Sequence, residues 1–313
     1  MEETTPLPRK HRQRREANPL LVKELRGRMR GARAFIVITI YLFLLSCLVS
    51  VVYAVVVRSS TMYGNQPDMT TVGKTIFATV VIIQIFMVTF ITPAFTASAV
   101  SGERERKTYE ILRTTLLSAS RITIGKLSSA LTYVVLLILA AVPLQALAFM
   151  LGGVTMTEIA LALVILLVTA FFFGTLGLFF SSAMRTTLAA TVLSYVVALL
   201  GTVVLPLILL VFTAFLGIPL VGGYMSNPWP IAVQSIVYSL LYVLVNLSPI
   251  GAAIATEVVL LNENSAWLFW VNLDPSHRLP LPSGWIIYTL IFVILSGILL
   301  LLATAQIRKQ ETR

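Results

Sequence analysis

Nine of the 36 charged residues of this chain fall in one stretch of 26, SGERERKTYEILRTTLLSASRITIGK, at positions 101–126. The residue types there are Glu, Arg and Lys in close alternation, with no histidine or cysteine, so the chemistry they suit is ionic recognition and not bond making. Read as a helix, the stretch spaces Glu103 with Lys107 and Arg106 with Glu110 for i,i+4 ion pairs worth a few tenths of a kcal/mol each. Tyr109, Leu112 and Leu116 then share one stripe with Ile111 beside it, while Arg106, Glu110 and Arg113 lie on polar faces. An apolar stripe framed by both charge signs suits a protein groove. An anionic lipid surface would select a mainly basic face instead.

Other residues that resemble chemical groupings do not reach workable spacing. Asp274 and His277 stand near serines, as acyl transfer would need, but within a few positions of one loop they read as solvated turn residues. GKT at 73–75 and GKL at 125–127 lack the first glycine of a phosphate loop, whose place is taken by Asp68 and Ser120. His11 and His277 are 266 positions apart, which gives no zinc site. The single cysteine, Cys47, lies inside an apolar run, can form no intrachain disulfide, and reads as a small core residue. The expectation is a chain with no catalytic site and no cofactor of its own, so that any energy from ATP must arrive through another chain.

The elements that position the charged stretch are greasy. The chain is 58% hydrophobic and 12% charged with mean hydropathy +0.92, whereas soluble domains carry about 25% charge. This composition is that of an integral membrane protein. Six runs free of charged residues, at 34–57, 75–100, 127–151, 159–180, 188–215 and 285–305, each reach the roughly 20 residues needed to cross about 30 Å of hydrocarbon. The first is too long, and begins too late, for a cleavable signal peptide.

With the amino terminus inside, 20 of the 23 Lys and Arg fall on the cytoplasmic side, and only Arg58, Lys74 and Arg278 on the other. The net charge of +10 is therefore a topology signal, and nucleic acid is not needed to explain it. The same rule governs the apolar pair 231–245 and 250–261, broken by NLSPIG. One crossing would put the basic tail outside, so two re-entrant half-helices dipping in from the outer face are expected, with Pro249 and Gly251 at the turn. Trp267, Trp270 and Trp285 fit an interfacial aromatic belt.

Pro93, Pro143 and Pro206 fall inside spans and are expected to kink them. Gly174, Gly177 and Ser181 suggest a small-residue packing face with the neighbouring phenylalanine rings turned to lipid. No ionisable residue lies inside the six runs, which disfavours ion-driven transport. Gln84 and Gln145 are the polar groups left for a pathway, and Glu158 and Glu257 stand at or near span ends.

Two segments carry a family resemblance. TPAFTASAVSGERERKTYEILRTTLLSASRITIGK at 92–126 and NPLLVKELRGRMRGAR at 18–33 resemble the membrane subunits of type 2 ABC exporters. The likeness in topology covers nearly the whole chain, and its specific motifs about 50 residues. It implies an all-α fold: a disordered basic tail (1–17), an amphipathic connecting helix (18–33), six spans within 34–305, re-entrant half-helices at 228–262, and a cytoplasmic tail (306–313). The loop after the second span would be a coupling helix in a groove of a separate ATPase subunit, with Glu103, Arg104, Glu105, Arg106, Tyr109, Glu110, Leu112 and Arg113 as the contact set. ATP and Mg would be bound by that partner, a second permease chain would complete the pathway, and the complex would sit in the plasma membrane with both termini cytoplasmic. Lys107 stands where the family pattern commonly has glycine, so a softened break before the coupling helix is expected. A membrane anchor or assembly factor, recruiting a soluble partner through the same loop, is the alternative.

Overall fold

A computed structural model describes residues 32–62, 68–108, 118–216, 230–263, 265–274 and 277–311. The basic tail, nearly all of the 18–33 segment, and Tyr109, Glu110, Leu112 and Arg113 lie outside these. Among the described residues six helical stretches are long and apolar enough to cross a membrane, and the protein is on that ground a predominantly helical, multi-pass membrane protein. In chain order they are α1 (Ala32–Met62), α2 (Met69–Thr96) with the short α3 (Ser101–Glu105), α4 (Ala119–Ala140) with α5 (Val142–Met150), α6 (Met156–Ala183), α7 (Thr187–Leu199) with α8 (Leu205–Leu216), and α11 (Gly284–Glu311). Before α11 come α9 (Ile231–Val245), α10 (Pro249–Glu263) and an antiparallel hairpin of β1 (Leu268–Asp274) and β2 (His277–Pro282).

Local chemistry starts the helices. Asp68 caps α2, its carboxylate accepting from the Thr70 amide (3.1 Å) and the hydroxyls of Thr70 and Thr71 (2.6 and 2.8 Å). These bonds hold its pKa down at about 2. Thr155 and Glu158 form a reciprocal capping box on α6. Inside the helices, hydroxyls such as those of Thr92, Thr123, Thr169 and Ser194 are satisfied by the carbonyl one turn back. Such residues can therefore occupy apolar surroundings without an unmet donor.

α6 is the central helix: 61% of its apolar stretch is buried, against 11% in α1. It is apolar around its whole circumference, as a helix surrounded by others must be. α2 and α11 pack on it, and Thr169 of α6 meets Tyr288 of α11 in a buried hydroxyl pair at 2.8 Å. The small-residue face is where α2 crosses α6. A Cβ on Gly177 would lie 2.1 Å from Thr96 Oγ1 and 3.2 Å from Pro93 Cα, so only glycine permits this approach. The rings do not all face outward as expected. Phe172 and Phe173 are buried, and Phe172 meets Phe292 of α11 edge-on at 4.6 Å, because neighbouring helices cover that side of α6. Cys47, expected in the core, is exposed on the outer side of α1.

The prolines act differently from one another. At Pro143 the long helix breaks into α4 and α5, while at Pro93 α2 continues to Thr96. Ahead of Pro206 the chain widens into a π-helical turn, Leu200–Val204. The Thr202 carbonyl, four residues back, cannot be bonded by a proline, and the Ser248 hydroxyl reaches it at 3.4 Å. Ser248 belongs to the break between α9 and α10, where the axis turns by 120° and Pro249 opens the second helix.

The hairpin was not expected from sequence. Its signal is a period of two: Phe269 and Val271 are buried, Leu268 and Trp270 exposed. The buried pair packs on Tyr238 and Tyr242 of α9. Asp274 and His277 are register partners at its end. Trp267 and Trp285 meet edge-on at 5.4 Å, and the Trp285 indole donates to the Ala266 carbonyl at 2.7 Å.

Candidate functional site

The site forms where α2, α3, α4 and the α6–α7 junction meet at the charged end of the bundle. Helix α2 together with α3 runs for 37 residues, about 55 Å at 1.5 Å per residue, against about 30 Å of hydrocarbon. The charged residues of α3 therefore stand beyond the span. Ser181, from the small-residue face of α6, anchors the joint: its hydroxyl oxygen accepts the amides of Val100 (2.9 Å) and Ser101 (3.1 Å).

Three consecutive side chains then tie α3 to three different elements. Glu103 forms an ion pair with Lys126 of α4 at 2.6 Å, and the same ammonium donates to the Ala99 carbonyl at 2.8 Å. Lys126 is only 3% exposed, so its charge is compensated as burial requires. The Arg104 guanidinium donates to the carbonyls of Met184 and Ser182, both at 2.9 Å. These lie at the C-terminal end of α6, where unpaired carbonyls and the helix dipole favour a cation. The Glu105 carboxylate accepts the Thr187 amide (2.7 Å) and hydroxyl (2.8 Å) at the N-terminal end of α7, where an anion is favoured. Those two bonds hold the Glu105 pKa below its usual value. One side chain thus caps the end of α6 and the next caps the start of α7.

Helix α3 closes with a Schellman motif. The Thr108 amide donates to the Glu103 carbonyl (2.9 Å) and the Lys107 amide to the Arg104 carbonyl (3.0 Å), and Lys107 sits at φ +57°. Two expectations are corrected here. The break is sharp despite the lysine, because the two backbone bonds and the Glu103 anchor fix the turn. Glu103 is paired with Lys126 and not with Lys107, because the left-handed residue ends the helix before an i,i+4 pair can form.

Arg106 and Lys107 are exposed past this turn, as is Arg185 in the neighbouring junction. A polar cavity of about 480 Å³ opens beside them, lined by residues that include Glu103, Glu105, Arg106 and Lys126. The Glu103 Oε2 atom is buried without a hydrogen-bond partner.

The other sequence-derived residues lie away from this face. Gln84 and Gln145 are fully buried and meet each other, with Gln145 Nε2 donating to Gln84 Oε1 at 2.7 Å and Gln84 Nε2 approaching the Tyr41 hydroxyl at 3.4 Å. They clasp α1, α2 and α5 together, and they do not line either described cavity. Pro93 sits at the α2–α6 crossing, and Pro143, Pro206 and Pro249 mark the interruptions described above. Gly73–Lys74 and Gly125–Lys126 lie within helices and form no loop. No group of three or more His, Cys, Asp or Glu among the described residues has metal-binding geometry. Sequence reasoning missed Ser181 and Thr187 as parts of the site. Their signal was the polar residue at each helix end, but their partners are 80 to 82 positions away.

No protein-family model and no curated protein matches this chain.

Proposed function

We propose that the chain is the membrane-spanning subunit of an ATP-driven ABC exporter, and that α3 with the residues after it is the coupling element. Its partner would be a separate ATPase subunit binding ATP and Mg, and a second permease chain would complete the pathway in the plasma membrane. The charge bias supports cytoplasmic termini on the α3 side. The 120° bend between α9 and α10 supports re-entrant half-helices, because a bend that large returns the chain toward the face it came from.

The observation that carries the reading is the three-way fastening of α3 through Glu103, Arg104 and Glu105. A helix that only joined two spans would not need to be tied to the end of α6, the start of α7 and the flank of α4. Such a base converts a push on the exposed loop into a joint displacement of α2, α4 and the α6–α7 junction. In the mechanism, ATP closes two nucleotide-binding subunits, their grooves shift the coupling elements, and the spans alternate between facing inward and outward. Affinity purification of the tagged chain in mild detergent, followed by an ATPase assay with and without Mg, tests this. A copurifying subunit with Mg-dependent ATPase activity is expected.

A further inference from the structure

At the end of the bundle away from α3, a cavity of about 190 Å³ lies between α2, α6 and α10. Its walls are apolar, with Phe77 and Val81 from α2, Leu161 and Ile165 from α6 and Ala253 from α10. Two carboxylates, Glu158 and Glu257, also line it. Glu158 is in the first turn of α6 and Lys74 near the start of α2, and Glu257 is within electrostatic range of both. The polar groups therefore gather at the end nearest the membrane surface. Val81 and Ile165 each lie seven residues further along their helices, about 10 Å deeper.

The cavity thus changes from charged to apolar along the membrane normal, in the direction of a lipid in that leaflet. Its polar end has acceptors to spare. Glu158 uses Oε2 on the Thr155 amide, and no hydrogen bond among the described residues engages its Oε1 or the Glu257 carboxylate. The Thr256 hydroxyl, by contrast, is committed to the Ala252 carbonyl at 2.7 Å. Two carboxyl groups share this end with one lysine, so a cation placed between them is favoured and a fatty-acid carboxylate is disfavoured. Ligand pockets that enclose a whole drug-sized molecule run from about 300 to 1,000 Å³, so this smaller one holds a small head and the first part of a chain, whose remainder stays in the surrounding apolar phase.

We infer that this cavity binds an alkylammonium amphiphile, its chain between α2, α6 and α10 and its ammonium group donating to Glu158 and Glu257. The site stands on geometry separate from α3 and holds whether or not an ATPase drives the chain.

The test uses the full chain alone, in a nonionic detergent, with radiolabelled dodecylamine as probe and dodecanoate as competitor. Saturable binding near one per chain, not displaced by dodecanoate, is expected. Glu257→Gln should weaken it about tenfold or more, the order expected for loss of a charge-assisted hydrogen bond. Ala253→Phe should abolish it by filling the cavity. Both variants are checked for a wild-type elution profile, and Glu257→Gln decides if Ala253→Phe misfolds. Non-saturable uptake, equal competition by dodecanoate, or undiminished binding by a folded Glu257→Gln chain overturns the inference.

Discussion

Lys107 occupies a backbone conformation that costs an L-residue on the order of 1 kcal/mol and glycine almost nothing. Lys107→Gly should therefore stabilise the protein by roughly 0.5–1 kcal/mol, read as a raised denaturation midpoint in detergent. A lowered midpoint would mean that the lysine side chain contributes a contact of its own. Lys126 presents the opposite case. Lys126→Met leaves Glu103 facing a largely buried site without its cation, which should cost about 2–3 kcal/mol. The double change with Glu103→Gln should recover much of that loss, and failure to recover it would show that the ammonium matters chiefly for the Ala99 carbonyl. Neither effect was legible from spacing. An i,i+4 rule assumes that the helix continues, and the residue that ends it also removes the pair. The oddity of Lys107 is visible in the sequence as a lysine where the resembling pattern has glycine, and its φ of +57° is the physical reason a glycine suits the position.

The fastening of α3 belongs to the scale of elements, and it depends on charge at the Glu105 carboxylate. Because its pKa in the folded protein is lowered from 4.5, its contribution is fully present above that value and is lost as pH falls through the lowered one. The Thr187 amide should then be protected from hydrogen exchange at neutral pH and lose that protection as pH falls through the lowered carboxyl pKa, while amides within α6 stay protected. Equal protection of Thr187 across that range would contradict the role of the carboxylate. The spans were legible as elements because about 20 apolar residues in a row have few alternatives. The hairpin was not, since LFWVNLD is short and its alternation is weak beside the long apolar runs of the rest of the chain. Its alternation becomes meaningful only once Tyr238 and Tyr242 are known to cover one face. The Gln84–Gln145 clasp was likewise hidden, because a polar residue in a span gives no sign of whether it meets a pathway or another amide.

For the whole molecule, the bundle presents an exposed charged end, with Arg106, Lys107 and Arg185 beside a helix fixed at its base. On the proposed function, a soluble ATPase docks at this end. Arg106 is the residue with which to probe it, since it is exposed past the turn and takes no part in the ties of Glu103, Arg104 and Glu105. The decisive measurement is the amount of Mg-dependent ATPase subunit that copurifies with the wild-type chain and with Arg106→Glu, at equal thermal stability of the two membrane chains. A stoichiometric subunit is expected with the wild type and a loss of about tenfold or more with the variant, as for reversal of a charge within a docking surface. Absence of any ATPase subunit with the wild type, or its undiminished recovery with Arg106→Glu, would contradict docking at this end.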